Sequence, residues 1–327
     1  METTVPVWLW IVFAGFVLAA LFVDFVVLAR QGAHVVGFKE ALNWSLIWIA
    51  LSFMFNGLLW WAVWETSGSA AAANEKSLEF LTGYLIEKSL AVDNVFVFLM
   101  IFTYFAVPPA YQKRVLMIGV IGAIVLRTIM ILIGGWLLAK FHWMLYVFGA
   151  FLVLTGIKMW WAAGKESDLD DNPALKLLRR VIPISKHFDG EKFFTIENGK
   201  KIATPLLMVV CMVGLTDVIF AVDSIPAIFA ITSDPFIVLT SNVFAILGLR
   251  AMFFLLQSVA ARFHLLNYGL AVVLVFIGSK MMLIDVFKIP VAVSLAIVAA
   301  ILIVTMALSA RLAPASRDST SLTRDSR

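Results

Sequence analysis

The sequence predicts an all-α polytopic membrane protein of about nine transmembrane helices, six of which form a 3+3 inverted-topology repeat. Three observations carry that prediction. First, of 327 residues 62% are hydrophobic and only 14% charged, with a mean hydropathy of +0.98. Soluble domains run near ~25% charged, so this chain lacks the polar surface to face water and the bilayer becomes its solvent. Second, apolar stretches of the ~20 residues needed to cross a hydrocarbon core recur nine times. Third, a sparse pattern of charged landmarks in the first half returns in the second.

The nine stretches lie near residues 7–29, 42–64, 78–106, 114–139, 143–162, 204–232, 236–258, 266–285 and 289–311. The first lacks a basic leader and a small-residue cleavage site, so it reads as a permanent span rather than a removable signal. Lys and Arg placement fixes the orientation, because cytoplasmic loops collect them. With the N-terminus outside, the inner loops hold Arg30, Lys39, Lys113, Arg114, Arg262 and the run from Lys165 to Lys201, and the tail adds Arg311, Arg317, Arg324 and Arg327. The outer loops hold Lys76, Lys140 and Lys288 beside Glu65, Glu75, Asp234 and Asp285. The alternation predicts N-out, C-in. The net charge of +4 and pI near 9.2 are thereby placed on one membrane face and imply no nucleic-acid partner.

The chain then divides into two leading helices (1–65), a first three-helix repeat (76–162), a cytoplasmic loop (163–203), an inverted second repeat (204–285), a last helix (286–311) and a disordered tail (312–327), the tail rich in Ser, Thr and Arg. In the loop, Asn198-Gly199 predicts a hairpin turn between Phe193–Ile196 and Lys200–Ala203. The single cysteine, Cys211, excludes an intrachain disulfide framework and a Cys-rich metal site. His142 and His264 sit at span ends and read as surface residues. The tryptophans, Trp60, Trp61, Trp64, Trp136 and Trp143 among them, cluster near span ends as interfacial belts do.

The repeat rests on three landmarks in one order. Leu90-Ala91-Val92-Asp93-Asn94 matches Phe220-Ala221-Val222-Asp223-Ser224; Ile124-Val125-Leu126-Arg127 echoes Leu247-Gly248-Leu249-Arg250; and Gly156-Ile157-Lys158-Met159 echoes Gly278-Ser279-Lys280-Met281. Each unit holds three spans, so the two copies cross the membrane in opposite senses, an arrangement that in secondary transporters places the substrate site near the midplane. A second carboxylate precedes each motif Asp by six residues: Glu87 before Asp93, and Asp217 before Asp223. An acidic residue at a helix centre costs up to ~2.5–3.5 kcal/mol on insertion scales, so four of them need something to offset the cost. Ion pairing is one answer, with Lys88, Arg127, Arg250 and Lys280 as candidate counter-ions. A bound cation is the other. Pro226 frees the Val222 carbonyl and predicts a broken helix beside Asp223 and Ser224. With Asn94 in the first repeat, this gives an oxygen-rich ligand set of the kind hard divalent cations prefer. Asp24 and Asn242 are candidates for the pathway lining.

The long segments Gly83–Phe96 and Thr216–Ala227, together with Asp234–Val238 and Arg250–Met252, resemble the TerC family of membrane proteins, in its Alx-like branch. The resemblance covers about residues 8–308. It implies a bacterial inner-membrane protein of manganese homeostasis, exporting Mn²⁺ as substrate rather than holding a resident cofactor, with Glu87, Asp93, Asp217 and Asp223 as the acidic motif positions. Similar proteins often carry a Glu where this chain has Gly214. The resulting expectation is a non-enzymatic exporter of a hard divalent cation, working by alternating access and coupled to protons or to the membrane potential. Two other classes fit two intramembrane aspartates or a metal-homeostasis role. An intramembrane aspartyl protease would need its Asp pair to share a proton, but Val92 precedes Asp93 where such enzymes carry Tyr, and Gly214-Leu215-Thr216-Asp217 lacks their second Gly. A non-transporting envelope partner would show no metal flux.

Overall fold

The computed structural model describes residues 5–31, 36–141, 143–162, 184–185, 187–197, 200–257, 265–283, 285–287 and 289–312. The expectations for His142, His264, Arg262, the Asn198-Gly199 turn, 163–183 and the tail from 313 fall outside the described residues, as do the side chains of Asp24, Asp93 and Asp223. Among the described residues there are ten α-helices: α1 (Val7–Gln31), α2 (Phe38–Ser67), α3 (Ala70–Tyr104), α4 (Pro109–Lys140), α5 (Met144–Ala162), α6 (Pro205–Phe229), α7 (Pro235–Leu247), α8 (Leu249–Gln257), α9 (Leu266–Met282) and α10 (Val291–Leu312). A two-stranded antiparallel hairpin, β1 (Phe194–Glu197) and β2 (Lys200–Ala203), precedes α6.

Local chemistry sets the boundaries. α2 ends at Gly68, whose φ of 64° is the left-handed conformation that glycine adopts without penalty. Ser69 then caps α3 by accepting the Ala72 N–H at 3.3 Å. Pro109, Pro205 and Pro235 open α4, α6 and α7, at positions where the missing N–H has no helical partner to lose. Asp234 caps α7 by accepting the Phe236 N–H at 3.0 Å.

Five helices (α2, α4, α5, α6 and α10) are long and apolar enough to cross a bilayer, and the bent α7–α8 pair makes six if counted as one span. α1 and α9 contain shorter apolar stretches, Val7–Val23 and Asn267–Met282. α3 has the length, 35 residues, but carries Glu75, Lys76, Glu79, Glu87, Lys88 and Asp93 along it. Apolar side chains that face lipid are widely exposed, among them Leu18, Leu132, Leu154 and Ile303.

α7 is the centre of the bundle. Every residue from 236 to 247 is buried, the pattern of a helix walled in on all sides. Phe236 and Phe244 on α7 meet Phe13 of α1 and Phe55 of α2, with the Phe55–Phe244 ring centroids 4.6 Å apart. α3 packs along both α6 and α7, α4 along α6 and α7, and α5 along α9. The α5–α9 contact brings backbone against backbone. A Cβ on Gly149 would lie 2.9 Å from the Gly278 carbonyl, one on Gly278 would lie 2.6 Å from the Gly149 carbonyl, and one on Gly156 would lie 2.8 Å from the Ala271 carbonyl.

Two local expectations are corrected. Pro226 does not break α6, which stays helical from Pro205 to Phe229; the proline sits near the C-terminal end, and its carbonyl still accepts the Ala230 N–H at 3.0 Å. The break lies instead in the stretch expected as the single span 236–258, where α7 and α8 meet at Gly248 with a 42° bend. There Lys88 Nζ donates to the Ala245 carbonyl at 3.3 Å, the acceptor that Leu249 N–H would take in an unbroken helix. A side chain entering the ladder is a recognised cause of such kinks. Gly248 leaves it room, since a Cβ there would meet Lys88 Nζ at 2.5 Å and Trp48 Cβ at 3.2 Å.

The hairpin starts one residue later than expected on its first strand, pairing Phe194 with Ala203 and Glu197 with Lys200. It is tied to the second turn of α4 by an Arg114–Glu191 ion pair at 2.9 Å, and the Arg114 guanidinium stacks over the Phe193 ring at 5.2 Å. This marks one end of the bundle, where α4 and α6 begin.

Because the α5–α9 contact has no space for a methyl group, Gly278→Ala forces two backbones apart and should cost about 1–3 kcal/mol. Gly122→Ala, whose Cβ meets nothing within 4 Å, should be neutral. Thermal unfolding of the two purified variants in one detergent checks the contrast.

Candidate functional site

The buried charges converge on one side chain, Arg127, in the middle of α4. Its guanidinium is in direct ion-pair contact with the Glu87 carboxylate of α3. From Nη2 it donates to Asp217 Oδ1 of α6 at 3.2 Å, with Nε 3.5 Å from Oδ2. From Nη1 it also donates to the Ser224 hydroxyl of α6 at 3.2 Å and to Asn242 Oδ1 of α7 at 3.1 Å. Four helices thus meet through one guanidinium. Its planar fork of five donors explains why Arg, rather than Lys, occupies the place.

Water is nearly excluded. Arg127 and Glu87 are each 1% exposed, Asp217 3%, Ser224 1% and Asn242 0%. Two carboxylates facing one guanidinium leave the described cluster with an excess of one negative charge. Glu87 Oε2 accepts no hydrogen bond among the described residues. A buried carboxylate oxygen without a partner is costly in a low-dielectric interior, until a hydrogen-bond donor, a proton or a cation meets it. The described oxygens available to one are two carboxylates, a hydroxyl and a side-chain amide carbonyl. No three of the described His, Cys, Asp or Glu side chains gather closely enough to hold a metal ion by themselves.

Of the other expected site residues, only the places in the helices are described for Asp93, Asp223 and Asp24. Asp93 lies on α3 beyond Glu87, and Asp223 on α6 next to Ser224. Asn94 is buried at 2% exposure, with no described contact to Arg127. Asp24 lies on α1. Of the four candidate counter-ions, Arg127 is the one that joins Glu87 and Asp217. Lys88 serves the Ala245 carbonyl at the α7–α8 bend, so the residue adjacent to Glu87 in sequence is not its partner. Arg250 is buried at the start of α8, beside a cleft lined by Glu40, Trp44 and Lys113. Lys280 is buried on α9, facing Glu79. Gly214 has nothing within 4 Å of where its Cβ would stand, so the missing Glu leaves open space rather than a repacked wall.

Sequence reasoning passed over Glu79. It is buried on α3 with Lys76 three residues before it and Thr232 hydrogen-bonded to it. The Lys-x-x-Glu spacing on one helix was the available signal.

The profile described as "Integral membrane protein TerC family" matches residues 72–318, from α3 onward. A protein of Escherichia coli (strain K12) named "Putative membrane-bound redox modulator Alx" is 56% identical over 310 residues, covering 95% of this chain and 96% of its own. The protein of the same name from Salmonella typhi is 55% identical over 309 residues, covering 94% and 96%. The "Uncharacterized membrane protein STKORF319" of Myxococcus xanthus is 50% identical over 311 residues, covering 94% of each chain. No solved structure matches the chain significantly.

Removing Arg127 strands two carboxylates in the bundle, and breaking a buried pair from one side costs about 3–5 kcal/mol. Arg127→Met should therefore lower the melting temperature sharply. Adding Glu87→Gln and Asp217→Asn to it should restore most of the loss, because the charges are then removed together. A thermal-unfolding cycle over the single, double and triple variants reads this directly.

Proposed function

The chain belongs to the TerC family of integral membrane proteins, and we propose that it exports a hard divalent cation by alternating access around the Arg127 cluster. Counting α1, α3 and α9 as spans beside the six gives nine. The Lys and Arg distribution orients them in a bacterial inner membrane with the N-terminus outside and the C-terminus in the cytoplasm. The substrate class follows from the oxygen donors; manganese is proposed from the family resemblance alone.

The observation that carries the reading is the sharing of Arg127. One guanidinium holds Glu87 from the first half and Asp217 from the second, and together they keep an unmatched negative charge out of water. A divalent cation arriving there would compete with the guanidinium for both carboxylates. Releasing Arg127 frees α3 and α6 from their common tie, which is the coupling between occupancy and helix movement that alternating access needs. Protons can discharge the same carboxylates from the other side, and proton exchange or the membrane potential would then drive export.

An inverted repeat of α3–α5 and α6–α9 is supported by the packing. α3 lies on α7 as α6 lies on α4, and α5 faces α9 at Gly149 and Gly278. The names of the relatives speak of redox modulation. This chain has one cysteine, Cys211, half-buried on α6, so a dithiol–disulfide cycle within the chain is not available to it, and the transport reading does not require one.

Proteoliposomes loaded with Mn²⁺ should show time-dependent flux with the wild type. Glu87→Gln, Asp217→Asn, Asp93→Asn and Asp223→Asn, checked for correct insertion, should each lose at least tenfold in rate. Absence of flux in the wild type, or equal flux in all four variants, would sink the proposal. Gly214→Glu, placed where there is room, adds a carboxylate one turn before Asp217 and should lower the Mn²⁺ concentration for half-maximal flux.

A further inference from the structure

Away from the Arg127 cluster, a second set of buried charges closes the end of the bundle opposite the hairpin. Lys76 and Glu79 lie in the first turns of α3, Thr232 and Asp234 in the connection from α6 to α7, and Lys280 near the end of α9. Glu79 is 6% exposed, Asp234 5% and Lys280 8%. Lys76 Nζ sits between the two carboxylates, 2.8 Å from Glu79 Oε2 and 3.8 Å from Asp234 Oδ2. Glu79 Oε2 also accepts from the Thr232 hydroxyl at 2.7 Å, and that hydroxyl oxygen accepts the Asp234 N–H at 3.1 Å.

Two features go beyond a structural ion pair. Asp234 Oδ1 is engaged as the cap of α7, but Oδ2 is buried and accepts no hydrogen bond among the described residues; it points toward the Lys76 ammonium at a distance too long for one. Lys76 is also the most exposed of the charged side chains here, on a flexible stem that can swing outward. An ammonium loosely bridging two buried carboxylates occupies the place a metal ion would take.

We propose that Glu79, Asp234 and Thr232 form a second, outward station for the transported divalent cation, and that the Lys76 ammonium is its built-in competitor. This deepens the transport reading and rests on it. Glu79 precedes Glu87 by eight residues on α3, about 12 Å along the helix axis. Between them, Gly83 presses α3 onto α7, where a Cβ would come 2.9 Å from Ser241 Oγ. The two stations are thus separated by close packing that a helix movement must open. Lys280, whose charge faces Glu79 and which has no hydrogen-bond or ion-pair partner among the described residues, repels a cation held there. The station is therefore weak, as a release site should be: an arriving ion displaces Lys76, meets the repulsion of Lys280 and leaves as Lys76 returns.

The test isolates the station in the Arg127→Met/Glu87→Gln/Asp217→Asn background, where the buried charges are removed together, and titrates the purified protein in nanodiscs with Mn²⁺, following free Mn²⁺ by electron paramagnetic resonance. Adding Lys76→Gln, or Lys76→Met as a second version, should tighten one Mn²⁺ site at least tenfold. Adding Asp234→Asn or Glu79→Gln on top should abolish that gain. If removing Lys76 leaves Mn²⁺ binding unchanged, or the gain survives both carboxylate variants, the station does not exist, even where wild-type vesicles transport Mn²⁺. A gain that depends on both carboxylates establishes the station even where vesicle flux is absent, in which case it is the transport reading that fails.

Discussion

One guanidinium answering to two carboxylates is the constraint around which the bundle is organised. Arg127 is 1% exposed, so its guanidinium cannot turn to water for its hydrogen-bond partners. Glu87 and Asp217 must therefore come to it, and each is delivered by a different helix. Ser224 and Asn242 take its remaining reach and bring α6 and α7 into the same knot. A core of leucines could hold four helices more cheaply, since buried ion pairs are often no more stable than apolar packing of the same volume. What leucines would not provide is a contact that a cation can undo.

The bend at Gly248 belongs to the same logic. Lys88 follows Glu87 in sequence, so both side chains leave the same turn of α3, yet they do different work. Glu87 binds Arg127, while Lys88 spans to the C-terminal carbonyls of α7, the end at which a helix dipole favours a cation. A shift of α3 would pull on α4 through Glu87 and on the α7–α8 bend through Lys88 at once. The central helix is in this way linked to the Arg127 cluster by a single turn of its neighbour.

Much of this was legible in the sequence. The membrane class, the two hairpin strands and the presence of Glu87, Asp217 and Arg127 inside the bundle all follow from apolar length, a two-residue spacing and charges placed where lipid penalises them. What the sequence could not show is which cation meets which anion. Lys88 is the nearest base to Glu87 along the chain, but adjacent helical residues point about 100° apart, so the contact goes to Arg127, forty residues away. Pro226 looked like the helix breaker because proline removes a hydrogen bond, but near a helix end that loss is small. The actual break is at Gly248, where its cause is a side chain 160 residues earlier. Glu79 was missed because it lies near the start of α3 and repeats nothing in the second half. The structure gives it weight by burying it against Thr232 and a loop that the sequence places 153 residues away.

The two charged sets also differ in balance, and that difference sets a direction. Around Arg127 the described groups are two carboxylates and one guanidinium, so a divalent ion enters an environment that is already one negative charge in excess. At the outer end the two buried carboxylates, Glu79 and Asp234, are met by two ammonium groups, Lys76 and Lys280, with the exposed Glu75 acting on Glu79 from nearer the surface. In a low-dielectric interior, where a charge at 4 Å counts for several times its value in water, a cation on the proposed path would leave a site with one basic group for two buried carboxylates and meet one with two. On the proposed transport reading, a cation would be held more strongly at the first set than at the second, with the tight Gly83–Ser241 contact between them.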